Sequence, residues 1–385
     1  MKKALITATV QSHIAHFHKP LINMLRENGF EVHAAAKNDL VENKGLILEN
    51  ADKLYNVNFS RSPYSKDNIA AYKHIKNILS ENTYDIIHCN TPMGAVVTRL
   101  AARKARKNGT KIIYTAHGFH FFKGAPLVNW LFYYPIERIM ARVTDVLITI
   151  NKEDYNRAKK FKAGRVEYVP GVGLNVEKFA NHSGDKEVIR KAIGIPSGAT
   201  VLLSVGELSK RKNHQIIIRA LATLKDKNIY YIIVGTGKLE RELKTLAASL
   251  KVEKQVHLLG FRTDVADLYK AADIFCFPSL HEGLPVAMME AMASGLPIIC
   301  SRIRGNSDLT EHEKGGLMYG SMDKRGFAEG IRKLCSDAEL RENMGNRNKR
   351  DAMQYDAAGV LKQMKAVYEN CLSEKLSGGE GGQAL

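Results

Sequence analysis

The chain has 385 residues but only five cysteines, one tryptophan and no long apolar run. Cys89, Cys276, Cys300, Cys335 and Cys371 are odd in number and scattered, with no CxxC pair. That excludes a disulfide framework and a cysteine-based zinc site, and it points to a reducing compartment. No apolar stretch approaches the roughly 20 residues a membrane-spanning helix needs. The opening MKKALITATVQSH starts with two lysines and an apolar run, as a signal peptide does. The run breaks at Gln11 and His13 with no small-residue cleavage site, so it reads as a first β-strand. GxGxxG is missing from the glycine turns, which removes support for a nicotinamide-binding fold. No helix-turn-helix, RNP or zinc-finger signature is present, so nucleic acid is not expected as a partner.

Acidic charge is also short. Lys and Arg number 57 against 40 Asp and Glu, a formal net charge of +17, which implies an anionic partner. Residues 1–170 carry 26 basic against 14 acidic side chains, and residues 171–385 carry 31 against 26, so the first half is the basic half. The densest run, RLAARKARKNGTK at 99–111, includes Arg103, Lys104, Arg106 and Lys107. A solvated helix face accounts for such a run. An anionic membrane surface would also use it, at about 1 kcal/mol for each well-placed cation.

Short β-branched runs alternate with helical stretches from end to end. Strands are expected at 3–10, 31–36, 53–59, 84–90, 111–118, 145–150 and 166–171, then at 200–206, 230–237, 255–261, 273–279 and 296–301. This is the rhythm of βαβ crossovers and parallel sheets. The pattern pauses at GVGLNVEKFANHSGDKE (171–187), where a domain boundary is expected. The reading is an α/β chain of two doubly wound, Rossmann-like domains, 1–175 and 176–354, facing across a cleft. A helix over 355–372 is expected to cross back to the first domain, followed by a disordered tail at 373–385.

Ligands of such sheets bind at the carboxyl ends of the strands. In SVGELSKRKNH (204–214) a strand ends at Gly206 and is followed by Lys210, Arg211 and Lys212 before a helix. Cations there suit a phosphate. VGTGKL (234–239) reads as a tight turn. PSLHEGLPVAMMEAMASG (278–295) sets Glu282 in a loop and Glu290 inside a helix that Pro285 opens and Gly295 stops. Neither carboxylate needs an ion pair if a polyhydroxylated ligand satisfies it: Glu282 suits sugar hydroxyls beside backbone amides, and Glu290 a vicinal diol such as ribose.

HEGLPVAMMEAMASGLPII, an E-x7-E motif in this context, resembles the donor domain of retaining GT-B glycosyltransferases, specifically glycosyltransferase family 4. FHKPLINMLRENGFEVHAAA, RSPYSKDNIAAYK, YDIIHCNTPMGAVVTRLAARKAR and YTAHGFHFFKGAPLVNWLFYYPIE resemble its bacterial exopolysaccharide and capsule members. The likeness spans about residues 1–370 and implies a GT-B fold. It implies that Glu290 binds the ribose of a UDP-sugar and that Glu282 holds the transferred sugar. Gly206 would belong to the donor site, the Gly283 and Leu284 amides would lie near the diphosphate, and Lys212 with Arg211 would neutralise it. His117 matches the donor-contacting histidine. The implied chemistry is front-face transfer with retention, without metal or other cofactor. The implied acceptor is a polyprenyl-diphosphate-linked glycan at the inner face of the cell membrane, with the protein cytoplasmic and peripheral.

Two departures stand out. Glu207 occupies the position where many relatives carry an arginine, and TVQSHIAHFHKP replaces the usual glycine pair after the first strand. His13, His16 and His18 in that loop lack a neighbouring carboxylate or cysteine at ligand spacing, so a metal is not expected, and His13 and His16 read as acceptor-side polar lining. HGFHFFKGAPLVNWLFYYPIE (117–137) holds seven aromatics. Such a stripe is commonly core, although Phe121 and Lys123, following His117, would suit a lipid-linked acceptor. Two alternatives share the architecture: a UDP-sugar 2-epimerase, and a non-catalytic nucleotide-sugar binding protein.

Overall fold

The computed structural model describes residues 1–40 and 46–377. The chain divides into two compact units, one of Met1–Gly173 with the chain from Ala358 onward, the other of Leu174–Ala357.

Among the described residues the first unit holds seven strands: β1 Lys2–Val10, β2 Phe30–Lys37, β3 Lys53–Asn56, β4 Ile86–Asn90, β5 Lys111–Ala116, β6 Val146–Thr149 and β7 Arg165–Tyr168. They form one sheet in the order β3-β2-β1-β4-β5-β6-β7, and every neighbouring pair is parallel. Helices cover both faces, which is why the strands read as unbroken apolar runs. Ala4, Ile6 and Ala8 of β1 point into one core with Val32, Ile86 and Ile113, whereas Leu5 points into the other with Ala35, Ile87 and Ile112. The helix Ala357–Ser377 closes the first of these cores. Val360, Met364, Val367, Tyr368 and Cys371 recur at helical spacing and are buried in it. This helix covers residues 373–377 of the stretch expected to be a disordered tail, and residues 378–385 lie outside the described residues.

In the second unit the strands are β8 Thr200–Val205, β9 Ile229–Val234, β10 Val256–Gly260, β11 Ile274–Phe277, β12 Ile298–Ser301 and β13 Gly316–Tyr319. Their order, β10-β9-β8-β11-β12-β13, is again fully parallel. The strand β13 was not expected from the sequence. Its four residues, GLMY, follow Lys314 and Gly315 and are too short to carry a period. Gly316 packs against the Ile298 carbonyl of β12, an approach that a Cβ would block.

Each sheet reverses its strand order once, between β1 and β4 in the first and between β8 and β11 in the second. Chain leaving these paired strand ends diverges to opposite sides and opens a crevice there. The two crevices contain most of the residues singled out above.

Candidate functional site

In the second unit, β8 delivers the chain through Gly206 into the Lys210–Arg211–Lys212 run. Gly206 has a φ of 154°, and a Cβ on it would meet Lys212 Cε at 2.9 Å, so its missing side chain lets the lysine stem cross the strand end. Gly235 and Gly237 of the neighbouring turn pack against the backbone of Gly206 and Leu208, which makes VGTGKL a packing turn. Asn213, at φ 54°, donates through Nδ2 to the carbonyls of Pro278 and Ser321 and ties the basic loop to the end of β11. A backbone bond from Leu280 N–H to the Arg211 carbonyl completes the tie.

These ties aim two cations at one carboxylate oxygen. Glu282 Oε1 accepts from Arg211 Nη1 at 2.6 Å and from Lys212 Nζ at 2.8 Å. Lys212 is buried, with Nζ 4.4 Å from the centre of the Phe277 ring. Burial pulls its pKa down and the Glu282 charge opposes that shift. The expectation that Glu282 needs no ion pair is therefore corrected. A buried Lys212 cannot stand unpaired at a strand end, and Glu282 pairs with it and with the half-buried Arg211 in the free protein. Its Oε2, and the amides of Gly283 and Leu284 beside it, make no hydrogen bond among the described residues. The Leu284 side chain is buried.

Glu290 sits in the helix Val286–Ala293, behind Pro285, while Met288, Met289 and Met292 are fully buried. Its Oε2 accepts from Tyr269 Oη at 2.9 Å, and that hydroxyl is also 2.9 Å from the Ala287 carbonyl. Burial raises the pKa of Glu290, and the tyrosine bond opposes the rise. Oε1 has no partner among the described residues, so one oxygen is fixed and the other is open. Tyr269 was not singled out in the sequence, where a tyrosine 21 positions away gives no sign of contact.

In the first unit, β1 ends in a short helix, Gln11–Phe17, that carries His13 and His16. Thr91, after β4, adopts φ 60° and ψ 145°, a conformation costly for a β-branched residue. Thr91 Oγ1 accepts from the Thr9 amide at 2.8 Å, and this bond locks the ends of β1 and β4 together. His117 follows β5. Its Nε2 is 3.1 Å from Oδ1 of the buried Asn90. Three imidazoles converge: a ring nitrogen from each of His13, His18 and His117 lies within 4.8 Å of the others. Burial pulls the pKa of all three down, as do the neighbouring imidazoles, that of His117 to about 4. His16 is exposed and stands apart from the three.

His13 and His16 line a cavity of 420 Å³ together with Arg61, Thr91, Met93 and Tyr133. A second cavity, of 550 Å³, shares Pro92, Met93, His120 and Tyr133 with it and is otherwise walled mainly by apolar side chains. Phe121 is corrected here. It is fully buried, stacked 4.7 Å from Phe119 and packed on Trp130, Tyr134 and Phe161, so it forms the floor of the larger cavity and cannot reach a bilayer. Lys123 is exposed, and its backbone amide donates to Glu153. The helix Leu127–Met140 exposes Leu127, Val128, Leu131, Phe132 and Ile139, an apolar face that the sequence could not separate from core.

The basic run divides. Arg103, Lys104 and Lys107 are exposed. Arg106 is instead committed to Asp145, with Nη2 at 2.8 Å from Oδ1 and Nε at 3.1 Å from Oδ2, which corrects its assignment to a membrane face. Arg99 is buried over the Tyr114 ring and paired with Glu137 at 3.0 Å. No helix among the described residues is long and apolar enough to cross a membrane.

Residues 185–351 match the family described as glycosyl transferases group 1, and residues 4–151 match glycosyl transferase 4-like. The chain is 37% identical over 372 residues to the Bacillus subtilis protein EpsD, described as a glycosyltransferase, covering 95% of this chain and 96% of that one. It is 30% identical over 287 residues to an Escherichia coli UDP-Gal:alpha-D-GlcNAc-diphosphoundecaprenol alpha-1,3-galactosyltransferase, covering 71% and 73%. Among solved structures, sucrose-phosphate synthase from Thermosynechococcus elongatus superposes with a TM-score of 0.79 at 17% identity, over 97% of this chain and 100% of that one. Anabaena HepE, solved with UDP and glucose, does so with a TM-score of 0.78 at 19% identity, over 96% and 100%.

Proposed function

The chain belongs to the group 1 glycosyl transferases and is a glycosyltransferase of GT-B fold, and on that premise we propose that it transfers a sugar from a UDP-sugar to a polyprenyl-diphosphate-linked glycan, with retention. One observation carries this reading. Arg211, Lys212 and Glu282 form an ion-paired cluster with one positive charge in excess, beside the amides of Gly283 and Leu284, which have no partner among the described residues, while Glu290 is held by Tyr269 with one oxygen open. A UDP-sugar offers complementary groups. Its ribose diol donates to Glu290, its diphosphate accepts from the two amides and from Lys212 and Arg211, and a hydroxyl of the transferred sugar donates to Glu282 Oε2. Lys212 has three donors and Arg211 five, so each can serve the carboxylate and the phosphates together.

In the reaction, the bond from the sugar anomeric carbon to the diphosphate breaks. The bond to the acceptor oxygen forms on the same face, and the acceptor proton passes to the leaving phosphate oxygen. Lys212 and Arg211 stabilise the charge that builds on the diphosphate. His117 contributes to binding the sugar, and the step uses no metal. The cavity lined by His13 and His16 takes the acceptor sugar, and the adjoining apolar cavity takes the start of its lipid. The apolar face of Leu127–Met140, with Arg103, Lys104 and Lys107, rests on an anionic membrane surface at the cytoplasmic side. The acceptor in the name of the Escherichia coli relative supports a lipid-linked substrate.

The test is thermal unfolding with UDP, GDP and a panel of their sugars, wild type beside Glu290→Ala. Ligand at a hundred times its dissociation constant adds about 2.7 kcal/mol of stability. Stabilisation by one UDP-sugar that disappears in Glu290→Ala supports the reading. Stabilisation by GDP-sugars alone overturns the assigned base.

A further inference from the structure

We propose that His13, His18 and His117 form a binding site for a zinc-type dication, three imidazoles supplying nitrogen ligands and the fourth position left open. The sequence placed two of these histidines in one loop and the third a hundred residues away, and only the fold brings them together. His18 is buried, 4% exposed, yet among the described residues its Nε2 has no hydrogen-bond partner, and Nε2 of His13 is likewise buried and without one. Two adjacent buried nitrogens without partners are a cost the fold would not carry without a use for them. Asn90 Oδ1 can only accept, so Nε2 of His117 carries the proton and Nδ1 the lone pair. A ligating histidine held through its other ring nitrogen by a carbonyl is the usual second support of a metal site.

Tetrahedral zinc, with Zn–N near 2.1 Å, sets its nitrogens roughly 3.4 Å apart. The three nitrogens lie within 4.8 Å of one another. Closing the difference asks for ring swings of about 1 Å, within the broad χ2 range of histidine. His88 is adjacent but is no ligand, because Tyr368 and Thr115 already occupy both its nitrogens at 2.7 Å. An all-imidazole set suits zinc, copper and nickel, and disfavours magnesium and calcium. The site stands apart from the transfer reading in all but its consequence. If His117 serves the sugar, the ion withdraws it, and zinc inhibits an enzyme that needs no metal.

The experiment uses the full chain, stripped with EDTA and titrated with Zn²⁺ against a chromophoric chelator. Wild type is expected to take up one equivalent at micromolar or tighter affinity. His13→Ala and His18→Ala should each weaken uptake at least tenfold, while His16→Ala, outside the three, leaves it unchanged. Because His18 is buried, His18→Ala could fail to fold. Co²⁺ added to wild type then decides independently, since three nitrogens in a tetrahedral set give a strong visible absorption band. Affinity weaker than 100 μM, uptake unchanged in His13→Ala, or no visible band with Co²⁺ would each overturn the site. None of these readouts depends on sugar transfer, so their failure leaves the proposed reaction standing.

Discussion

At the strand ends of the second sheet the functional side chains are charged and already paired with one another. At the corresponding ends of the first sheet they are neutral imidazoles beside apolar cavities. Both crevices sit where strand order reverses, so topology does not account for the contrast. Lys212 and Glu282 can be buried as ions because each compensates the other at 2.8 Å. His13, His18 and His117 have no opposing carboxylate among their ring contacts and resolve the same problem by losing their protons. One crevice is thus equipped for an anion such as a diphosphate. The other is equipped for uncharged hydroxyls, an apolar chain or a soft cation.

Lowering the pH attacks the first unit hardest. In the presence of a chelator, the folded pKa values of His88, about 3, and His117, about 4, lie below the ordinary 6.5, and those of His13 and His18 are lowered as well. Between 6.5 and these values the unfolded chain binds more protons, so stability is complete above pH 6.5 and falls as the pH drops. By pH 5 the loss is about 2 kcal/mol for each of His88 and His117. The second unit holds one counterpart, His214, at about 4. Hydrogen exchange at pH 7 and pH 5 should show β1, β4 and β5 losing protection well before β8 and β9. Equal loss would break the comparison.

Lys212→Ala should reduce kcat/KM about 10²–10³-fold, the usual cost of one donor at a developing oxyanion. His16→Ala in the other crevice should change it far less, as steady-state rates with a UDP-sugar and a lipid-linked acceptor would show. Leu131→Asp with Phe132→Asp should weaken binding to anionic vesicles at least about a hundredfold, since each buried large apolar side chain contributes about 1.5–3 kcal/mol. Reversing Arg103, Lys104 and Lys107 to glutamate should weaken it about fivefold per site at low salt and less at high salt. Arg106→Glu should instead lower the melting temperature, because it breaks the pair with Asp145.

The second crevice was the more legible because its chemistry is local. Gly206, Arg211 and Lys212 fall within seven residues, and Glu282 to Glu290 within nine. The convergence of Arg211 and Lys212 on Glu282 was not legible, since it spans about 70 residues and depends on Asn213 tying two loops. In the first unit the aromatic run 117–137 was visible as a cluster but not as two environments. Phe121, in the loop before the helix, turned inward, where a loop has no period to read; Leu131 and Phe132 turned outward, because the period of a helix that is apolar nearly all round does not say which face is covered. Arg99 and Arg106 likewise looked like surface charge until Glu137 and Asp145 arrived from distant elements.

The sequence by itself determined the alternation of strand and helix, the doubly wound class, and the glutamate helix with its proline and glycine ends. These depend on neighbours within a turn or a strand, where backbone geometry fixes which side chains share a face. Tertiary structure alone decided which charges meet, which imidazole nitrogens are left without partners, and where an apolar helix face stays uncovered. Those outcomes depend on burial, and burial is set by what the rest of the chain folds against each residue.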